Sequence, residues 1–318
     1  MKVLVTGGAG FIGSHLVDRL LARKDRVLVI DNYATGRRDN LTAHPSLTIV
    51  EGTIADRGLV ERAFAEFGPE QVVHAAASYK DPDNWTEDSL TNVVGTANVV
   101  QASKAARVRR LIYFQTALCY GLNPIQQPIR LDHPKRPANS SYAISKTAAE
   151  DYLELSGLDY VTFRLANVIG PRNVSGPLPI FYERLTSGKR CFVTPARRDF
   201  VYVGDLARAV AAAVMGRGNG TYHFSTGTDV AIKELYDAVV KALALNTYPE
   251  PELRPLGPGD ASSILLDPSR TFEDFGEIEF TPLAETVARA MAYYREWGVH
   301  GGYTHLPHAS AAPSSARA

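Results

Sequence analysis

Short apolar runs alternate with stretches of helical periodicity through the first half of the chain. The runs 3–5, 27–30, 47–50, 72–75, 111–114 and Tyr160–Leu165 have strand length and are apolar without alternation, as buried parallel strands are. Between them, 14–23, 59–67, 88–106 and 142–156 place apolar residues three and four apart. In the first, Leu16, Val17, Leu20 and Leu21 mark one face. This order predicts a parallel sheet covered by helices on both faces. Past Gly170 the texture changes. Pro171, Pro177 and Pro179 interrupt the chain, helical patterns return over 206–215 and 232–245, and Pro249, Pro251, Pro255 and Pro258 mark a further loop. Leu283–Trp297 is the last clear helix. From Gly301 onward a Gly-, Ser-, Ala-, Pro- and His-rich tail, 301–318, is expected to be disordered. No internal repeat is present.

The first strand and helix enclose Thr6-Gly7-Gly8-Ala9-Gly10-Phe11-Ile12-Gly13. Strand, glycine loop and helix together open a dinucleotide-binding unit. Gly7 would permit the tight turn, Gly10 the close approach of a pyrophosphate, and Gly13 the packing of helix on strand. Asp31 closes the second apolar run, at the offset from the loop where a carboxylate meets ribose hydroxyls. A glycine triplet alone also fits an ordinary strand–helix turn; the order of elements and Asp31 favour the cofactor. The expected class is therefore α/β: a Rossmann-type doubly wound parallel sheet over 1–170 and a smaller C-terminal α/β lobe over 171–300, with some exchange of chain between the lobes.

The 318 residues suffice for one large or two modest domains. With 34 basic and 34 acidic residues the formal net charge is zero, which argues against nucleic-acid binding through bulk charge. No apolar run nears the ~20 residues that cross a bilayer, so no membrane partner is expected. The chain opens directly on a strand, and no signal peptide is expected ahead of it. Cys119 and Cys191 lack metal-ligand spacing; no metal is expected, and a reducing, cytoplasmic compartment is.

Candidate chemistry lies in Tyr142-Ala143-Ile144-Ser145-Lys146. Residues four apart share a helix face, and an ammonium beside a phenol favours the phenolate, which then serves as a general base. Alone, the pair also fits a surface tyrosine and lysine; behind a nucleotide half-fold the catalytic reading prevails. Thr116 leaves the C-terminal end of the fifth strand, where ligands bind in such sheets, although any strand end can carry a threonine.

These residues resemble the extended short-chain dehydrogenases/reductases, and within them the nucleotide-sugar epimerases related to UDP-galactose 4-epimerase. The resemblance runs from Lys2 to about Trp297. It is carried by the glycine loop, Asp31-Asn32 with Thr35-Gly36, His74-Ala75-Ala76-Ala77, Asn92-x-x-Gly95-Thr96, Tyr142-x-x-x-Lys146, Arg164-x-x-Asn167-Val168-x-Gly170-Pro171 and Arg198-Asp199-Phe200-Val201. The phrases 77–82 and 114–121 look like a bacterial branch tied to lipopolysaccharide O-antigen sugars. The resemblance implies NAD as cofactor, held by Gly7, Gly10, Phe11, Ile12, Asp31, Asn32, Gly36, Thr53, Ile54, Ala75, Ala76, Ala77 and Asn92 together with Tyr142 and Lys146. It implies Tyr142 as the base on a sugar hydroxyl. Lys146 would hold the nicotinamide ribose and depress the Tyr142 pKa, and Thr116 would bind the reacting oxygen. It implies a nucleoside-diphosphate sugar, a UDP-sugar foremost, contacted by Ser78, Lys80, Thr116, Ala117, Asn167, Arg198 and Asp260, with 171–300 as the substrate lobe.

Two departures refine this. Ala117 and Leu118 stand where dehydratases and decarboxylases of the family carry acidic residues; neither exchanges a proton, which weighs against both reactions. Gly257 stands where the epimerases place an arginine before Pro-Gly-Asp, and Arg254 lies three residues earlier. Asp31 repels a 2′-phosphate and favours NAD, while Arg37 and Arg38 keep NADP as an alternative. The expected activity is C4 epimerisation of a UDP-hexose through a 4-keto intermediate. The alternatives are an NDP-keto-sugar reductase and a non-catalytic dinucleotide-binding protein. In the resembled family the helices carrying Val93, Val94, Ala97, Val100, Ala148, Ala149, Tyr152 and Leu153 pair in a homodimer, which is expected here; the same faces also suit the chain's own sheet.

Overall fold

The runs of valine, leucine and isoleucine become the strands of one sheet; all but the half-exposed edge run 47–51 are largely buried on both faces. The structure, a computed structural model, describes residues 1–79, 81–137, 140–257 and 259–299. The expected tail 301–318, Pro258 and the substrate contact expected of Lys80 lie outside them.

The first half runs β1 (Lys2–Thr6), α1 (Phe11–Ala22), β2 (Arg26–Asp31), β3 (Leu47–Glu51), α2 (Arg57–Phe67), β4 (Gln71–His74), α3 (Trp85–Asp88), a π-helical segment (Ser89–Gly95), α4 (Thr96–Ala105), β5 (Arg110–Thr116), α5 (Ser141–Leu155) and β6 (Tyr160–Leu165). The second half runs β7 (Asn167–Ile169), α6 (Pro177–Thr186), β8 (Phe192–Val193), β9 (Arg197–Arg198), β10 (Phe200–Tyr202), α7 (Val203–Val214), β11 (Gly220–Phe224), β12 (Val230–Ala231), α8 (Ile232–Leu243), β13 (Glu252–Leu253), β14 (Ser263–Ile264), α9 (Ser269–Phe275) and α10 (Leu283–Trp297).

Three differences from the sequence reading have local causes. The helix expected over 88–106 is broken by the π segment, whose wider turn carries Asn92 inward, where it is buried. Pro177 and Pro179 do not interrupt the chain; they open α6, since proline in a first turn forfeits only an N–H that has no intrahelical acceptor. The loop read over the later prolines includes the short strand β13, which pairs in parallel with β8.

The main sheet has seven strands in the order β11-β6-β5-β4-β1-β2-β3, all parallel. β1 thus lies between β4 and β2, with its C-terminal end beside theirs and β5 on the far side of β4. One face of the sheet packs on α1 and α7 through Leu16, Leu20, Leu206 and Val210. The other packs on α2, α4 and α5 through Val60, Phe64, Val99 and Leu153. The outermost strand, β11, comes from the second half of the chain, as does α7. A separate core joins α6, α8 and α10 through Phe181, Tyr236 and Met291. On the outer helices Val100, Ala149 and Leu153 face the chain's own sheet. Val94, Ile144, Tyr152 and Leu155 face outward.

Candidate active site

The glycine loop turns where β1 ends. Gly7 has a φ of 67°, a left-handed conformation, and a Cβ there would lie 2.6 Å from the Ala76 nitrogen. The loop therefore presses against the Ala75-Ala76 backbone after β4, with Ala75 N–H bound to the Thr6 carbonyl (3.0 Å). Gly10 precedes α1 without a side-chain cap, so the first-turn N–H groups of Phe11 and Ile12 face the mouth of the loop. Gly13 lies under the loop: a Cβ there would stand 2.2 Å from the Gly7 carbonyl oxygen. Gly13→Ala is expected to cost about 1–3 kcal/mol by overpacking. It should also purify with less dinucleotide than the parent, measured by denaturant melts and cofactor content; a variant matching the parent on both counts refutes this account of the loop.

Asp31 is buried at the end of β2 and accepts from Ala9 N–H and Tyr33 N–H, both at 2.8 Å. Burial pushes its pKa up and these bonds oppose the shift. Each oxygen keeps capacity for another donor, which suits a ribose diol. Asn32 beside it is exposed, and Gly36 packs against Ala9. Arg37 pairs with Asp39, and Arg38 pairs with Glu51 and lies over the Tyr33 ring, so both guanidiniums have carboxylate partners rather than an open phosphate site. Thr53 accepts from Ala55 N–H (3.2 Å), and Ile54 is buried against Gly95. Glycine close approach, an uncapped helix start and the buried Asp31 fit a dinucleotide of the NAD type.

A hydrogen-bond chain beneath this loop has a fixed direction. Thr96 Oγ1 donates to the Asn92 carbonyl (2.5 Å), so it accepts from His74 Nε2 (2.8 Å). His74 Nδ1 then accepts from Thr6 Oγ1 (2.6 Å), which itself accepts from Ala76 N–H (3.2 Å). Burial and the nearby Lys146 hold the His74 pKa down to about 3, so the ring is neutral. Asn92 is not merely a cofactor-side residue. Its amide grips Ser78 through N–H and carbonyl (2.8 and 2.9 Å) and donates to Ser145 Oγ (2.9 Å), tying the loop after β4 to α5.

Tyr142 lies in the first turn of α5, which Ser140 caps by accepting from Ala143 N–H (3.3 Å). Its ring centroid is 5.9 Å from that of Tyr79. Lys146, one turn on, is buried with Nζ 4.0 Å from the centre of the Tyr113 ring. Here the electrostatic expectation needs correction. Burial pushes the Tyr142 pKa up, with Tyr79 and Asp88 adding to it. Burial also pushes the Lys146 pKa down to about 7, against the pull of Glu150. Burial therefore works against the charge that Lys146 brings to the phenol, and phenolate formation draws on positive charge beyond Lys146.

Thr116 ends β5, and its backbone is tied through the Gln115 amide to the Lys146 carbonyl. Its Oγ1 accepts from Leu118 N–H (3.1 Å), which leaves the hydroxyl proton for an oxygen ligand. Ala117 is buried, and Leu118 is partly buried; neither supplies an acid. Cys119 is fully buried and burial pushes its thiol up to about 12, so it behaves as an apolar filler.

The expected diphosphate side gathers separately. Arg198 on β9 forms an ion pair with Asp260, and Asn167 on β7 is exposed, with its N–H bound to the Asp199 carbonyl (2.9 Å). Asp199 is buried and accepts from Ser225, Thr226 N–H and Thr226 Oγ1. Arg254 pairs with Glu252 and lies 4.3 Å from the Phe192 ring centre. The sequence reading missed Tyr113, Gln115 and Glu150, whose side chains all meet near Lys146; the period-two spacing of Tyr113 and Gln115 on β5 was the available signal.

Comparison with known proteins agrees with this geometry. The chain is 69% identical to the Bordetella bronchiseptica enzyme WbmH solved in complex with NAD+, over 94% of this chain and 99% of that one, with a TM-score of 0.92. It is 44% identical to B. bronchiseptica WbmG in complex with NAD and UDP, over 96% and 99%, with a TM-score of 0.89. It is 34% identical to the UDP-glucose 4-epimerase of Mycolicibacterium smegmatis, over 93% of this chain and 99% of that one. Residues 3–223 match the model of the NAD dependent epimerase/dehydratase family, and the chain belongs to that family.

Proposed function

We propose that the protein is an NAD-dependent nucleotide-sugar 4-epimerase acting on a UDP-hexose. The observation that carries the reading is the link from Thr116, at the C-terminal end of β5, through the Gln115 amide to the turn of α5 that carries Tyr142 and Lys146, in a sheet whose β1 opens into a glycine loop shaped for a dinucleotide. When bound, NAD⁺ supplies a hydride acceptor and a positive charge. Tyr142 takes the proton of the C4 hydroxyl as its oxygen becomes a carbonyl. Thr116 donates its hydroxyl proton to the same oxygen and stabilises the charge that develops there. Lys146 holds the ribose and biases Tyr142 toward phenolate. Once the 4-keto sugar has turned its opposite face to the cofactor, C4 takes the hydride back on that face while Tyr142 returns its proton to the C4 oxygen, which completes the inversion.

The remaining site assignments follow this reading. Gly7, Gly10, Phe11, Ile12, Asp31, Asn32, Gly36, Thr53, Ile54, Ala75, Ala76, Ala77 and Asn92 surround NAD. Ser78, Thr116, Ala117, Asn167, Arg198 and Asp260 surround the nucleotide sugar, with the Arg198 guanidinium on the diphosphate. Residues 1–170, joined by α7 and β11 from the second half, form the cofactor lobe, and the rest of 171–300 shapes the sugar pocket. A homodimer forms through the outward faces of the π segment with α4 and of α5, where Val94, Ile144, Tyr152 and Leu155 are exposed. Two buried, unpaired cysteines fit a reducing, cytoplasmic setting, and no described helix is long and apolar enough to cross a membrane.

The test is a panel of UDP-, dTDP- and GDP-hexoses given to freshly purified protein. Interconversion of C4 epimers of a UDP-hexose with NAD retained is expected, in a particle of twice the chain mass. Net conversion that consumes added NADH would identify a reductase, and no turnover of any sugar would overturn the enzyme reading.

A further inference from the structure

We propose that Gln115 is a positioning residue that fixes Thr116 relative to the helix carrying Tyr142 and Lys146; this rests on the reading of those three as the reacting side chains. Gln115 is 2% exposed. Its Oε1 accepts from Thr116 N–H (2.7 Å) and its Nε2 donates to the Lys146 carbonyl (2.9 Å) and to Glu150 Oε2 (3.3 Å). One amide thus joins the backbone of the strand-end threonine to the backbone of the helix lysine. Two residues earlier, on the same face of β5, the Tyr113 hydroxyl donates to that same Lys146 carbonyl (3.0 Å), and its ring lies under Lys146 Nζ.

Side-chain amides have both signs of dipole, and here each end meets its complement. An acceptor faces the Thr116 peptide, and a donor faces a carbonyl and a carboxylate. Glu150 is itself held by Arg164, so the amide cannot swing away without leaving that carboxylate one donor short. α5 can slide along β5 only by breaking the Gln115 and Tyr113 bonds together. The separation of the Thr116 hydroxyl from the Tyr142 and Lys146 side chains is set by this clamp, and reaction rates depend steeply on such separations.

Glutamate at this position separates positioning from simple packing. Ionised, it keeps an acceptor for Thr116 but repels the Lys146 carbonyl and Glu150. Protonated, it regains an O–H donor and nearly restores the amide. Burial and the Glu150 charge push a second carboxyl here upward, against the opposing pull of Arg164, of Lys135 (Nζ 3.5 Å from Glu150) and of Lys146. Gln115→Leu is expected to lower kcat for the UDP-hexose that the parent epimerises by roughly 10–100-fold with KM within about twofold. Gln115→Glu is expected to show the same deficit near about pH 8 and to recover most of it near about pH 6. A Gln115→Leu kcat within twofold of the parent, or a Gln115→Glu deficit equal at both pH values, overturns the clamp. If the parent epimerises no UDP-hexose, the functional reading falls, and the clamp is judged by calorimetric NAD binding. There Gln115→Leu should bind several-fold more weakly, with Gln115→Glu recovering at the lower pH; affinities equal to the parent's at both pH values overturn it.

Discussion

Tyr142→Phe is expected to cut turnover by roughly 10²–10⁴-fold while NAD stays bound, because the substitution removes one hydroxyl and keeps the ring. The ring's contact with Tyr79 and the cap of α5 at Ser140 do not depend on that oxygen. The loss should fall on kcat, since proton transfer is made only as the C4 oxygen changes character. Residual rate should lose the pH dependence that Tyr142 imparts. A variant that turns over within a few-fold of the parent would remove Tyr142 from the base's role and with it the mechanism. Burial alone drives this phenol toward its neutral form. The size of the loss therefore also measures how fully bound cofactor and Lys146 together offset that burial.

The second large effect concerns stability. Glu150 is fully buried and accepts from Arg164 Nε (3.0 Å) and Nη2 (3.1 Å) in a two-pronged pair. Burial is the largest single influence and opposes the Arg164 charge, but Glu150, Cys119 and Tyr120 together outweigh it and the net shift is upward. Arg164 continues to the Tyr120 hydroxyl (2.6 Å), which donates to His223 Nε2 (2.6 Å) on β11. Glu150→Leu strands a buried guanidinium and is expected to cost about 3–5 kcal/mol in denaturant melts. The double replacement Glu150→Leu with Arg164→Met should regain much of that, because neither charge then remains buried alone. A single variant within about 1 kcal/mol of the parent would show that water reaches Arg164, contrary to its burial.

Much of this molecule was legible before any coordinates. Most of the strand runs are apolar on both sides, as a doubly covered parallel sheet requires, and the glycine loop, Asp31, Thr116, Tyr142 and Lys146 sit at positions that local sequence marks. What escaped depended on contacts between distant segments. The π segment at Ser89–Gly95 follows no simple periodicity; it forms because Asn92 must reach both Ser78 and Ser145. α6 was hidden by reading Pro177 and Pro179 as breakers, when their place in a first turn makes them initiators. The electrostatics of Tyr142 and Lys146 were misjudged for a related reason. Helical spacing brings the pair together on paper, but burial, which spacing does not report, moves both groups toward neutrality.

The edge of the sheet has a consequence for how the chain is made. β6 finds its outer neighbour only in β11, which follows α6 and α7 in the sequence. During synthesis the nascent first half emerges with one flank of its sheet bare, and an open flank of this kind invites pairing with other chains. Only when Phe224 has left the ribosome does that flank close, so the halves mature together rather than one after the other. A gene split at the lobe boundary would yield fragments that must find each other before either completes its fold.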